Sequence, residues 1–335
     1  MGNPHSDMKM QGWLSGERPG ITDLALASLA MPEPGKGELL VRVEAAALNF
    51  SDLLMIDDSY QLRPPRPFVP GQEVSGTIIT AAPGSRNEVG ARIASKVLWG
   101  GFAEYAIVRD DMAIAVPDGF DAQRAAALPV VYPTAVVALT ESTQLQPGET
   151  VLVHAAAGGV GLASVQVAKA LGARVIATAG STEKCQTAQS AGADVAINYR
   201  EAKWVETVRA ATDGVGVDVV VDPVGGDIAT ESLKCLAWEG RHLIVGFSSG
   251  KIPALPANRL LLRRASAIGV YWNHDRDAEM MVRVTKRLQA MIESGTVEPL
   301  VGGTYPMTGL PEALAALQDR SSVGKLILDI VGAKD

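Results

Sequence analysis

Cysteines, clustered basic residues and long apolar runs are scarce in this chain of 335 residues. Cys185 and Cys235 are too few for a disulfide framework or a four-thiolate zinc lobe, and such sparing use favours a reducing compartment. The net charge of −7, without a Lys/Arg-rich run, argues against a nucleic-acid partner. No stretch approaches the roughly 18 consecutive apolar residues of a transmembrane helix. Because the polar N-terminus also lacks a secretory core, we expect a cytoplasmic protein with no membrane partner.

The first part of the chain has the sequence pattern of a small β domain. Between residues 21 and 116, short β-type runs are separated by Pro and Gly, which predicts a barrel-like antiparallel domain rather than a βαβ array. The predicted strands are Leu39–Ala45, Val74–Ala81, Arg92–Val97, Ala103–Val108 and Ala113–Ala115.

From residue 150 onward, apolar strands alternate with helical segments. The predicted strands are 150–154, 173–178, 194–198, 217–222, 240–246 and 265–271. The predicted helices lie near 160–171, 182–191, 202–211 and 226–237. Six strands joined by helical crossovers predict an α/β fold with a doubly wound, six-stranded parallel sheet.

The pattern of short β runs occurs again near the C-terminus. After a predicted helix at about 277–294, short β runs occur again at 305–308 and 325–331. The simplest architecture inserts the nucleotide-type domain into the first one. We therefore predict a substrate domain at residues 10–132, completed by residues 273–335, and a dinucleotide-binding domain at residues 133–272.

The stretch 151–161, VLVHAAAGGVG, connects an apolar strand to a helix through a glycine-rich turn. Its small residues suit the dinucleotide fingerprint, which needs a tight turn, close approach of the backbone to a pyrophosphate, and close helix–strand packing. The following helix would direct its unpaired N–H groups and the positive end of its dipole at that anion. The predicted pyrophosphate site comprises Ala156, Gly158, Gly159, Val160 and Gly161.

The end of the second strand predicts which nucleotide binds. NAD-specific sites place an Asp or Glu about 20 residues past the glycines, where it binds the ribose hydroxyls. Here residues 177–181 read ATAGS, without a carboxylate, and Ser181, Lys184 and Tyr199 offer a hydroxyl, an ammonium and a phenol. One charge-assisted hydrogen bond of about 1.5–3 kcal/mol to a 2′-phosphate favours NADP over NAD by roughly 10- to 100-fold. We therefore predict NADPH as the cofactor.

The order of motifs along nearly the whole chain resembles the medium-chain dehydrogenase/reductase superfamily, and within it the zinc-independent quinone oxidoreductases related to zeta-crystallin. The motifs that carry the resemblance are ALNFSD at 47–52, PGQEVSG at 70–76, GFAEY at 101–105, AAALP at 125–129, His154–Gly161, GAD at 192–194, VGG at 224–226 and GK at 324–325. Residues 240–273 look most like the branch called quinone oxidoreductase-like protein 2. The resemblance implies a GroES-like β-barrel domain beside the Rossmann domain.

Two positions differ from the zinc-dependent alcohol dehydrogenases of this superfamily. Those enzymes have a Cys where this chain has Asn49, and a His where it has Gln72. Amides are poor zinc ligands beside thiolate and imidazole, so we expect no metal and no Lewis acid to polarise an alcohol. Hydride transfer from NADPH to a quinone is then the leading prediction. Reduction of an α,β-unsaturated carbonyl or an enoyl-CoA, and a noncatalytic NADPH-binding protein, remain alternatives.

The resemblance also suggests catalytic roles. The developing oxyanion needs a donor, and the Asn49 amide is our first candidate, or else a loop amide that binds local backbone. Tyr60 is the second candidate, or else an aromatic wall of the pocket. A tyrosine common in the family five places after the Asn is Leu54 here, which leaves its proton-relay role unfilled.

The remaining expectations from the resemblance concern the nicotinamide end and assembly. Thr134 should meet the nicotinamide amide, and the backbone around Phe247 and Ser248 should flank its ribose. The apolar edge strand 265–272 should pair with its copy in a homodimer. Arg259, Arg263 and Arg264 could reach the phosphates of a CoA thioester, although a solvated face is the simpler interpretation.

Overall fold

The computed structural model describes residues 8–116, 119–201 and 203–332. Its strands are β1 (Lys9–Ser15), β2 (Leu24–Ala30), β3 (Glu38–Ala47), β4 (Glu73–Ala81), β5 (Arg92–Lys96), β6 (Tyr105–Arg109), β7 (Ile114–Ala115), β8 (Thr150–Val153), β9 (Arg174–Ala179), β10 (Val195–Asn198), β11 (Val217–Asp222), β12 (Leu236–Ile244), β13 (Ser266–Gly269), β14 (Val301–Pro306) and β15 (Lys325–Asp329). Its helices are α1 (Phe50–Ile56), α2 (Ala122–Ala126), α3 (Val131–Val136), α4 (Gly159–Ala170), α5 (Thr182–Ser190), α6 (Trp204–Ala211), α7 (Gly226–Ser232), α8 (Ala257–Leu261), α9 (Ala278–Glu293) and α10 (Leu310–Gln318).

The chain divides into two compact units. Unit 1 comprises the described residues up to Val130 and those from Pro299 onward, and unit 2 comprises Val131–Glu298. Residues 273–298 therefore lie in unit 2, whereas the sequence placed them with the substrate domain. The reason is α9, which packs against α3 and buries an apolar stripe that includes Met281, Val284 and Leu288.

Unit 1 is built on a seven-stranded sheet with the path β14-β15-β3-β4-β5-β7, and β6 also pairs with β3. Every pair is antiparallel except β14 and β15, which are parallel. The hairpin β1–β2, which the sequence had not predicted, forms a separate two-stranded sheet. The indole of Trp13 in β1 donates a hydrogen bond to the Met307 carbonyl at 2.8 Å, so this hairpin is attached to the C-terminal segment.

The core of unit 1 is a cluster of buried aliphatic side chains around Phe102, which is fully buried. Leu39, Val41 and Val43 enter it from alternate positions of β3, as expected for a strand with one face toward a core. Leu310 and Leu314 of α10 close the cluster. The packing of β3 in this core thereby anchors the chain that follows it, from Leu48 into α1.

Unit 2 contains the predicted parallel sheet, with the strand order β10-β9-β8-β11-β12-β13 and every neighbouring pair parallel. The order reverses at β8, because the chain continues to β9 on one side and later returns to β11 on the other. Open α/β sheets bind ligands outside the carboxyl ends of their strands at such a reversal. The glycine-rich turn lies there, directly after β8.

Two predicted boundaries in unit 2 were wrong. The helix predicted at 226–237 ends at Ser232, and the strand predicted at 240–246 begins at Leu236. Between Leu236 and Arg241 the pairing of β12 with β11 shifts register, and Glu239 adopts a φ of 59°. The strand therefore contains an irregular segment, which hides its first residues from a periodicity argument.

In the described part of the chain, no helix combines the length and apolar character required to span a bilayer.

Candidate active site

The glycine-rich turn after β8 leaves no room for larger side chains. A Cβ atom on Gly161 would lie 2.2 Å from the Ala155 carbonyl oxygen, and Ala155 itself has a φ of 48°. The backbone N–H of buried Ala156 donates to the Thr178 carbonyl at 3.0 Å, which joins the turn to β9. Gly158 is the N-cap of α4, in an extended conformation. The turn is therefore tight, and its small residues leave the backbone uncovered by side chains.

This turn fits a pyrophosphate. Because an α-helix cannot satisfy its first N–H groups internally, Gly159, Val160 and Gly161 present donors at the start of the twelve-residue α4. Any side chain at Gly158 would begin at the edge of this cradle, 3.4 Å from the Ala155 oxygen. The predicted pyrophosphate residues thus lie together in the turn and in the first turn of α4.

The predicted adenosine-end residues lie around the end of β9. Ser181 is the N-cap of α5, and its hydroxyl accepts the Lys184 N–H at 3.2 Å. A Cβ atom on Gly180 would lie 2.6 Å from the Tyr199 hydroxyl oxygen and 3.6 Å from Arg200 Nε. Tyr199 and Arg200 therefore lie over the position where an NAD-specific chain needs an acidic side chain.

Two cations lie near each other in this region. Partial burial lowers the pKa of Lys184, and the Arg200 guanidinium lowers it further. An ammonium and a guanidinium this close repel each other, and a dianionic phosphate placed between them relieves that repulsion. Arg200 is not among the residues predicted from the sequence, although its position directly after Tyr199 was a usable signal.

Thr134, predicted to meet the nicotinamide, lies in α3, and its Oγ1 accepts a hydrogen bond from Trp272 Nε1 at 3.1 Å. Trp272 follows the last parallel strand and is buried. The indole therefore orients the Thr134 side chain. The role of Trp272 was not predicted from the sequence, because no local pattern pairs two residues that are 138 positions apart.

The loop that carries Phe247 and Ser248 is attached to the neighbouring strand end. The Ser248 N–H donates to the Pro223 carbonyl at 3.0 Å. Asp222 organises this region: its Oδ1 accepts the N–H groups of Val224 and Gly225, and its Oδ2 lies 3.2 Å from His242 Nε2. Burial opposes ionisation of Asp222, but the hydrogen bonds from His242 and from the Gly225 N–H lower its pKa below the ordinary value.

His154 is a structural residue. Its Nδ1 and Nε2 lie 2.8 Å from the hydroxyl oxygens of Thr178 and Ser232, respectively, and its ring meets Trp204 edge-on. Burial lowers the pKa of His154 to about 4, so the imidazole is neutral at physiological pH. Its two hydrogen bonds therefore hold β9 and α7 to the turn after β8.

Unit 1 contains a buried polar cluster around Asn49, the predicted oxyanion donor. Lys325 Nζ donates to Asn49 Oδ1 at 2.7 Å, to the Leu48 carbonyl at 2.8 Å and to Glu73 Oε2 at 2.7 Å. Asn49 Nδ2 also donates to Glu73 Oε2, at 3.0 Å, and lies 3.5 Å from the Ala47 carbonyl. The second oxygen of Glu73 accepts the Val130 N–H. One Nδ2 hydrogen of Asn49 is therefore only weakly engaged.

Asp52 and Gln72 extend this cluster. Asp52 Oδ2 accepts the backbone N–H of Asn49 at 2.7 Å, which closes the first turn of α1. Burial raises the pKa of Asp52 to about 7, against the lowering effect of the Asn49 N–H and the Lys325 ammonium. Gln72 Oε1 accepts the Ser51 hydroxyl hydrogen.

Tyr60, the second predicted catalytic residue, follows the end of α1, where its N–H donates to the Leu54 carbonyl at 3.1 Å. It is partly buried. Tyr60 and Asn49 thus lie beyond opposite ends of the same helix.

The chain is similar to known oxidoreductases in sequence and in structure. Two family models match the chain: an alcohol dehydrogenase GroES-like domain over residues 35–118 and a zinc-binding dehydrogenase model over residues 159–287. The quinone oxidoreductase-like protein 2 of Mus musculus is 37% identical over 311 residues, which cover 92% of this chain and 89% of that protein. This chain is a quinone oxidoreductase-like member of the medium-chain dehydrogenase/reductase superfamily.

Solved structures of this superfamily agree. The quinone oxidoreductase of Thermus thermophilus, determined alone and with NADPH, is 34% identical with a TM-score of 0.83, over 96% of this chain and 100% of that one. A mycobacterial protein in complex with NADPH is 33% identical with a TM-score of 0.89, over 96% and 100% of the two chains. The predicted family and the predicted fold, a Rossmann-type domain with a GroES-like domain, are confirmed.

Within this quinone oxidoreductase-like chain, the predicted cofactor-binding residues lie in unit 2 and the predicted catalytic residues lie in unit 1. Unit 2 brings together the glycine-rich turn and the Ser181–Lys184–Tyr199 group at the carboxyl ends of its strands. Unit 1 places Asn49 among ionised and amide side chains. The match to the zinc-binding model covers residues 159–287 and thus includes neither Asn49 nor Gln72.

Proposed function

We propose that the protein is an NADPH-dependent oxidoreductase that transfers a hydride to a quinone without a catalytic metal. The single observation that carries the choice of NADPH is the end of β9, where Gly180 is covered by Tyr199 and Arg200. An acidic side chain at Gly180 would displace the Tyr199 phenol, and the Arg200 guanidinium, together with Lys184 in the first turn of α5, suits a phosphate. The quinone acceptor is supported by the names of the relatives.

Unit 2 binds and orients the cofactor. Reduced nicotinamide, when bound, supplies the hydride. The bare turn at Gly158–Gly161 accepts the pyrophosphate, and Thr134, whose side chain is oriented by the hydrogen bond from Trp272, meets the nicotinamide carboxamide. Ser181 keeps its hydroxyl hydrogen available for the 2′-phosphate, since it caps α5 as an acceptor.

Unit 1 stabilises the charge that develops on the acceptor. Asn49 is held by Lys325 and Glu73, and its weakly engaged Nδ2 hydrogen is available to an oxyanion. Tyr60 supplies a phenolic O–H from the other end of α1. Preorganised donors of this kind stabilise an oxyanion without reorganising during the reaction.

The donor set of unit 1 suits this metal-free reaction. The amide of Asn49 is bound through both ends, and the nearest carboxylate, Glu73, is paired with the Lys325 ammonium. Among the residues that the structure describes, no group of three or more His, Cys, Asp and Glu side chains is arranged to hold a metal ion. Hydride acceptors activated by conjugation need no Lewis acid, so quinones fit this site better than alcohols do.

A conjugated enone is the closest alternative acceptor, because it needs the same oxyanion donors. An enoyl-CoA is less favoured. Two of the three arginines considered for its phosphates are engaged: Arg263 donates to the Leu236 carbonyl at 2.6 Å, and Arg264 pairs with Glu239 at 2.9 Å.

The decisive experiment follows NADPH oxidation at 340 nm across naphthoquinones, phenanthrenequinone, simple enones and acryloyl-CoA. We expect the quinones to give the highest kcat/KM and Gly161→Val, which blocks the turn, to abolish activity. Faster turnover of enones would reassign the acceptor. Tight NADPH binding without turnover of any compound would favour the noncatalytic alternative.

We further propose that the protein is a cytoplasmic homodimer. Within the described chain, β13 pairs only with β12, so its other edge is open. Leu261, Leu262 and Tyr271 beside this strand are 77%, 74% and 77% exposed. A second copy that pairs with β13 would cover both the unpaired backbone and these apolar side chains.

A further inference from the structure

We propose that Gln72 is a further catalytic residue, whose Nε2 donates a hydrogen bond to the acceptor oxygen, and that Ser51 is the positioning residue that fixes this amide. The proposal rests on the proposed hydride transfer to a carbonyl acceptor. It adds a donor to Asn49 and Tyr60.

Asn49 can donate few further hydrogen bonds. Its Oδ1 is bound by Lys325, and one Nδ2 hydrogen is bound by Glu73. The other Nδ2 hydrogen has only the Ala47 carbonyl at 3.5 Å. With 8% of its surface exposed, Asn49 has one hydrogen to offer, and its orientation is dictated by a buried ion pair.

The Gln72 amide is engaged at one end only. Its Oε1 accepts the Ser51 hydroxyl hydrogen, and its Nε2 donates no hydrogen bond to any described residue. The side-chain atoms that are both fully buried and unpartnered in the described chain are Asp52 Oδ1 and His242 Nδ1. Gln72 Nε2 is therefore accessible, although the residue as a whole is only 4% exposed. An amide with a fixed carbonyl and an accessible N–H pair is a preorganised donor.

The backbone of Gln72 is equally constrained. Its carbonyl accepts the Val97 N–H at 2.8 Å. The preceding Gly71 has a φ of 101°, and a Cβ there would lie 2.6 Å from the Phe102 ring. The Gly71 carbonyl also accepts the Gly101 N–H at 2.9 Å. Gln72 thus projects from a turn that tolerates only glycine before it, so its amide has little freedom to move away.

The chemistry of the step needs such a donor. The acceptor gains a hydride, its carbonyl electron pair moves to oxygen, NADPH is oxidised to NADP⁺, and a proton from water completes the reduction. The Gln72 N–H stabilises the oxyanion while that charge is present and stays neutral throughout. Ser51 increases the effect, because a hydrogen bond to the amide oxygen polarises the N–H bonds at the other end.

The test compares Gln72→Met with Gln123→Met in the full-length protein. Gln123 is a matched control, because its Oε1 likewise accepts a hydroxyl hydrogen, from Thr304 at 2.8 Å. With the best quinone, we expect kcat of Gln72→Met to fall roughly 100-fold or more. The NADPH dissociation constant, measured by fluorescence, should stay within twofold for both variants, and kcat of Gln123→Met should be unchanged.

Two further variants keep the proposal testable if Gln72→Met does not fold. In Gln72→Glu, kcat should rise as the pH is lowered, because only the protonated carboxyl can donate. The ionisable neighbours Asp52, Glu73, Lys96 and Lys325 are common to the wild type, whose profile serves as the reference. Ser51→Ala should lower kcat about tenfold without raising KM for NADPH, and Ser51→Thr should restore it.

The outcomes separate this proposal from the proposed function. A wild-type protein that reduces none of the acceptors contradicts the proposed function. A wild-type protein that turns over, combined with wild-type kcat in folded Gln72→Met or a wild-type pH profile in Gln72→Glu, overturns the role of Gln72 alone.

Discussion

Lys325 Nζ lies 2.7 Å from Glu73 Oε2, although 252 positions separate the two residues and both are almost completely buried. The pair joins the last strand of the chain to the start of β4 and holds Asn49 between them. It is therefore both a structural contact of unit 1 and the support of the candidate catalytic amide.

Replacing Lys325 with Met should destabilise the protein by about 3–5 kcal/mol, because the buried Glu73 carboxylate loses its only cationic hydrogen-bond partner among the described residues. Urea unfolding monitored by circular dichroism measures this change. Lys169→Met, which breaks the more exposed pair with Asp194, should cost under about 1 kcal/mol. The double variant Glu73→Gln/Lys325→Met should recover most of the loss, and a double variant as unstable as Lys325→Met would contradict this account.

Stability should depend on pH through Asp52. Burial raises the pKa of this carboxyl from 3.8 to about 7. Between these values the folded state keeps a proton that the unfolded state releases, so stability falls as the pH rises, by up to about 4 kcal/mol in total. Asp52→Asn should remove this dependence. The free energy of unfolding of the variant, relative to that of the wild type, should therefore increase from pH 4 to 7 and stay constant above pH 7. The prediction would be refuted if the free energies of unfolding of Asp52→Asn and the wild type differed by the same amount at every pH. The exposed Asp319→Asn is the control.

Cofactor preference should depend on Lys184 and Arg200. Removing either cation by Ala substitution should weaken NADPH binding roughly 10- to 100-fold, because a charge-assisted hydrogen bond to the 2′-phosphate is lost. NADH binding should change little. Fluorescence titration with both nucleotides measures the ratio, and Arg209→Ala on α6 is the control. An unchanged NADPH/NADH ratio in both variants would exclude the proposed phosphate site.

The open edge of β13 should determine the oligomeric state. We expect a dimer at micromolar concentration in sedimentation velocity, and a monomer for Tyr271→Asp, because a charge would be buried in the interface. Val282→Asp is the control, since Val282 is 67% exposed on α9. A monomeric wild-type protein would disprove the proposed dimer.

Local patterns predicted much of unit 2. The alternation of strands and helices is visible in the sequence because parallel strands buried on both faces read as continuous apolar runs. The turn at 154–161 is recognisable because it depends on residues that are adjacent in sequence. The predictions for β12 and α7 failed where an irregular segment interrupts the periodicity.

The sequence by itself determined the family, the alternation of strands and helices in unit 2, the glycine-rich turn and the missing acid at Gly180, because each is encoded by short motifs of residues that are close together in the chain. Only the tertiary structure decided that Lys325 and Glu73 hold the Asn49 amide, that Ser51 holds Gln72, and that Trp272 supports Thr134. Most of these contacts join residues far apart in the chain, and even the Ser51–Gln72 contact joins α1 to the segment just before β4. Side-chain hydrogen bonds of this kind form only after the strands have packed, so no local pattern encodes them.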